Sequence, residues 1–143
     1  MSDTLIDSEQ DKAALMDTAL ECVVDSKGDI MPLVIEEYYQ RCPDGKESFE
    51  HHGFDGHVRL TESMVDSVLY CITGWVDNRR EIESLIADTV PHHKSLKIPR
   101  DLLVSLLDVT LEVLLSGVPI ENQRARSLLV SIGREIRLEI SNA

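Results

Sequence analysis

Apolar residues recur at steps of three and four along nearly the whole chain, and the period-two alternation of a half-buried strand never persists. That pattern predicts helices and argues against a sheet. Ala13, Met16, Leu20, Val23 and Val24 form the first stripe, which Gly28 ends, with Ser26 or Asp29 placed to cap the second helix. Ile30, Leu33, Val34 and Tyr38 mark that second helix, which tolerates Pro32 in its first turn. Cys42-Pro43-Asp44-Gly45 reads as its end, because the residue before proline resists helix and Asp-Gly is turn chemistry. Glu47 to Gly56 is short of periodicity and predicts a loop with one helical turn at most.

A long amphipathic helix is expected from His57 to Val76 through Leu60, Met64, Val65, Val68, Leu69, Ile72 and Trp75, closed by Asp77-Asn78. Ile82, Leu85, Ile86 and Val90 give a shorter one that Pro91 should end. Pro99 opens the next, with Asp101 favourable to its dipole and leucines nearly all round, so this helix should be central. After the turn Ser116-Gly117-Val118-Pro119, Asn122 can cap a last helix with the stripe Leu128, Leu129, Ile132, Ile136 and Ile140. The expectation is one all-α domain over residues 1–143, with 1–8 a loose tail.

Length and charge narrow the function classes. A chain of 143 residues can bury one core without staples. Its 14 basic against 26 acidic residues leave a net charge of −12, which repels a phosphate backbone and argues against nucleic-acid binding. Cys22, Cys42 and Cys71 are too few and scattered for a disulfide framework. An acidic N-terminus and the lack of an 18-residue apolar run lead to the expectation of a soluble cytoplasmic protein that does not enter a membrane.

Histidine is the unusual inventory: His51, His52 and His57 in the early loop region, and His92 and His93 ahead of Pro99. There is no phosphate-binding glycine loop, no His-Glu-x-x-His pair and no nucleophile elbow. The first three histidines form at most a weak metal site, since neither spacing nor softness selects a metal. Phe49 and Phe54 read as core plugs beneath a loop, Trp75 as packing, and Cys22 and Cys71 as buried thiols without a basic neighbour to activate them.

The run His92-His93-Lys94-Ser95-Leu96-Lys97-Ile98-Pro99 resembles the proximal region of globins, with a histidine, six residues, and a proline that starts a buried helix. Upstream, Tyr39 to Phe49 looks like the end of the second globin helix, where a proline precedes by six residues the phenylalanine that packs on haem. Counting onward places Leu60 at the distal-ligand position, with Met64 and Val68 on the same face.

This resemblance implies a globin-like fold of six to eight helices and a haem b group. Its iron would be held by His92, or alternatively His93, with a backbone carbonyl at Thr89 or Val90 orienting the ring. The haem would lie among Phe49, Leu60, Met64, Val68, Ile98, Leu102 and Leu106, with Ile35 on the distal side. The implied function is binding of a diatomic gas (oxygen, CO or NO) as carrier or sensor; the alternative is a haemless globin-fold module for signalling or protein interaction. No enzymatic activity is expected beyond weak haem-dependent redox chemistry. A homodimer is compatible with the pattern, and His51, His52 or His57 is a candidate sixth iron ligand. The chain departs from the family at Leu60 and Ile35, where His or Gln and Tyr are common. Losing a donor to a bound gas is worth roughly 1–3 kcal/mol and predicts fast oxygen release. Pro91 and Asp88 are further departures beside the proposed iron ligand.

Overall fold

Residues 8–143 are described by a computed structural model, and the regular elements among them are all helical. They are α1 (Glu9–Lys27), α2 (Met31–Arg41), α3 (Pro43–Gly53), α4 (His57–Gly74), α5 (Arg79–Ser95), α6 (Arg100–Ser116) and α7 (Gln123–Asn142), with a single 3₁₀ turn at Phe54–Gly56 before α4. Of the tail expected at 1–8, residues 1–7 lie outside the described residues. Ser8 is the N-cap of α1, its Oγ accepting from the Asp11 N–H at 3.1 Å.

The local signals act as their chemistry dictates at most boundaries. Gly28 ends α1 at φ 69°, a conformation that a Cβ would strain, and Asp29 Oδ1 then accepts from the Met31 N–H at 3.0 Å. Asn122 Oδ1 accepts from the Ala125 N–H at 3.3 Å and starts α7. Leu128, Leu129, Ile132, Ile136 and Ile140 are all buried, and α7 lays that stripe on α6, α1 and α5. In α6, Leu106, Leu107, Val109, Thr110, Leu111 and Leu114 are buried, which makes it the central helix. Across it pack α1, α2 and α4.

Several expectations fail, and the reasons are physical. The loop predicted at Glu47–Gly56 is mostly helix: Pro43 sits in the first turn of α3, where its missing N–H costs nothing, and Asp44 follows with favourable charge. Gly45 in that turn is buried, not a loop residue, because the Tyr38 ring lies where its side chain would be. Pro91 does not end α5, which runs on to Ser95; Pro91 and Ala87 are both exposed, so water can satisfy the carbonyl that the proline leaves free. Phe54 is no core plug: it is 78% exposed and holds φ 52°. Val24 also leaves the first stripe for solvent, Ala19 taking its place in the core.

A polar clasp joins the far end of α4 to α5 and α7. Arg79 stacks 4.4 Å over the Trp75 ring and pairs with Glu135 at 2.6 Å, while Trp75 Nε1 donates to the same carboxylate at 3.4 Å. Trp75 is 3% exposed, so the indole contributes buried area as well as this bond. From that clasp α4 and α5 run on with few contacts to each other. The space between them is the site.

Candidate functional site

Two adjoining cavities, each of about 440 Å³, lie between α4, α5 and α6. The first is floored by Ile136 and Ile140 of α7 and walled by Val68, Cys71, Ile86 and Val90. The second extends toward α3 and is walled by Phe49, His52, Leu60, Ile98 and Leu102. Met64, His92, His93, Leu103 and Leu106 border both and mark the place where they meet. Phe49, Leu60, Met64, Val68, His92, Ile98, Leu102 and Leu106, placed around one group by the sequence, each border one or both cavities of this cleft, as does the alternative His93; Ile35 does not. Each cavity falls in the roughly 300–1,000 Å³ range of ligand sites.

The two imidazoles differ in their restraint. His93 is half-buried and its Nδ1 lies 2.8 Å from the Thr89 carbonyl oxygen. A carbonyl only accepts, so Nδ1 carries a proton, and the lone pair of the ring in this tautomer lies on Nε2. His92 is exposed and has no such ring bond among the described residues, although it too borders the cleft. The Thr89 carbonyl, expected with Val90 to orient His92, orients His93 instead.

Tyr38 is the residue that counting missed. Spacing assigned Ile35 to the distal wall, but Ile35 packs against the core, and Tyr38, three residues on, lines the cavity instead. Its ring meets Phe49 edge-on at 5.9 Å, and its hydroxyl donates weakly to the Leu102 carbonyl at 3.4 Å. Burial pushes the phenol well above its ordinary pKa, so it stays a protonated donor. The signal was present in the sequence, since Tyr38 belongs to the second apolar stripe. Its neighbour Tyr39 turns away, pairing with Thr61 Oγ1 at 2.6 Å, while Thr61 itself donates to the His57 carbonyl at 2.8 Å.

The histidines of α3 do not assemble with His57. His51 and His52 stack edge-on at 4.9 Å, and His57 Nδ1 faces the Phe54 carbonyl at 3.2 Å. Among the described residues no three His, Cys, Asp or Glu side chains converge as metal ligands, so the weak three-histidine site read from the sequence is not formed. Of the three, His52 alone reaches the cleft. Cys71 is a wall residue and only half-buried; partial desolvation pushes its thiol up to about 11. Asp88 also borders the first cavity.

Fold and site together define an all-α protein built around an apolar cleft that carries imidazoles on one wall. Compared with models of known families, with curated proteins and with solved structures, the chain matches none. No described helix is long and apolar enough to cross a membrane.

Proposed function

We propose that the chain is a globin-like haem protein that takes up a diatomic gas in the cleft between α4 and α5. What carries the reading is a restrained imidazole at the junction of two apolar cavities: His93, its Nδ1 held 2.8 Å from the Thr89 oxygen, keeps Nε2 available. The residues fit the group in other respects. Met64, Val68 and Leu106 offer no hydrogen bond to water, and Phe49 adds an aromatic side chain to the lining. A haem bound here would supply an iron with a coordination position for the gas. The chain's own part is to hold that iron through His93 and to keep water out with apolar walls.

His93 replaces His92 in this assignment, because a ligating imidazole whose second nitrogen is fixed loses less freedom on binding. The test is a visible spectrum after haem addition. The wild type should acquire the strong absorption band of a protein-bound haem; His93→Ala should lose it, and His92→Ala should keep it. A wild type that stays colourless would reject the reading. It would favour a haemless globin-fold module for signalling or protein interaction, which finds its support in Asp88, an acid on an otherwise greasy wall.

A further inference from the structure

The sign of the surface charge reverses at this cleft. Overall the chain carries 26 acidic side chains to 14 basic ones. A third cavity, of about 470 Å³, opens at the end of α5 and shares Val90 and Leu103 with the first cavity and Ile98 and Leu103 with the second. Its polar walls are Lys94, Lys97 and Arg100. Across the linings of all three cavities, Asp88 is the one acid, against these three cations and the three imidazoles His52, His92 and His93.

The three cations are placed, not merely present. Lys97 holds φ 62°, a left-handed conformation that glycine or asparagine usually fills and that disfavours other side chains. Its N–H bonds the Lys94 carbonyl at 2.9 Å, and the next N–H, that of Ile98, returns to the His93 carbonyl at 3.0 Å. The turn that sets Lys97 therefore closes on His93 itself. Neither Lys94 nor Lys97 has an ion pair among the described residues. Arg100 opens α6, where a helix dipole disfavours a cation. It is anchored there by donating to the Ser141 and Ala143 backbone oxygens at 3.0 and 2.8 Å, which leaves further N–H donors of its fork unspent.

We infer that the cleft receives a ligand whose apolar body ends in a carboxylate, and that Lys94, Lys97 and Arg100 take that carboxylate at the mouth. The inference rests on the cleft being a ligand site, as proposed above. Two kinds of molecule share this chemistry, a porphyrin with its propionate arms and a long-chain fatty acid. Both combine an apolar body for the inner cavities with an anion for the outer one.

The experiment measures affinity by isothermal titration calorimetry for two matched pairs of probes: haem against its dimethyl ester, and a long-chain fatty acid against the alcohol of equal length. The wild type should bind at least one acid about tenfold or more tightly than its uncharged partner, the scale of a charge-assisted hydrogen bond. In the double variant Lys94→Glu, Lys97→Glu that preference should fall to about twofold or less, with affinity for the uncharged partner unchanged. The uncharged partner thereby reports that the variant's cleft is still folded. Equal binding of acid and uncharged probe, or a preference that survives the charge reversal, overturns the inference and leaves the haem reading standing. A carboxylate preference seen with the fatty acid while haem fails to bind keeps the inference and removes the haem reading. Binding of none of the four probes removes both.

Discussion

Gly45 shows how a single side chain can decide both a helix and a cavity. A Cβ added there would overlap the Tyr38 hydroxyl oxygen and the ring carbon that bears it. The Tyr38 ring is almost wholly buried and wedged against Phe49, so it cannot rotate away freely. Gly45→Ala should therefore destabilise by about 1–3 kcal/mol through overpacking, despite alanine's better helix propensity. Urea denaturation measures it. The paired variant Gly45→Ala, Tyr38→Phe should recover part of the loss, because the closest atom is then gone. The same residues explain what the sequence could not disclose. Spacing placed Ile35 on the distal side, and no spacing rule reveals that a glycine in α3 makes room for Tyr38. Likewise the choice between His92 and His93 hangs on one bond to a backbone carbonyl, which sequence does not print.

At the scale of elements, apolar periodicity located six of the seven helices, and residue-type signals located most of their ends. Where those signals misled, they were ambiguous: Pro43-Asp44-Gly45 is turn chemistry and also a good first helical turn, and tertiary packing on Tyr38 chose the second. Pro91 misled differently, since its cost inside a helix is real but local. Pro91→Ala restores an N–H for the Ala87 carbonyl and removes the ring's crowding of that turn. At an exposed site near the helix end this should raise stability by about 1–3 kcal/mol, read as a higher denaturation midpoint at constant slope. No change or a decrease would mean that the chain before His92 and His93 relies on the proline's fixed φ. The Trp75–Arg79–Glu135 clasp was invisible to periodicity, because it joins residues from separate stretches of the chain.

For the whole molecule, folding and binding share part of their buried surface. The core lies where α6 and α7 meet α1 and α2, through side chains such as Val34, Leu107, Leu114, Leu129 and Ile132, all at or below 2% exposure. Several core residues do double duty: Tyr38, Ile86, Val90, Leu106, Leu107, Ile136 and Ile140 are buried in the core and also border the cleft. These shared residues tie the cleft walls to the core, and the empty protein should unfold in one cooperative transition. A ligand that binds only the folded cleft then adds stability by mass action. At one hundred times its dissociation constant the gain is about 2.7 kcal/mol, which for a domain of this size raises the midpoint temperature by roughly 5–10 °C. Met64→Trp offers the counter-test. Met64 borders both inner cavities, so an indole there should block their junction and abolish the haem-induced rise, while the empty variant melts close to the wild type. If that variant still gained the full shift with haem, the ligand would have to sit elsewhere than between α4 and α5.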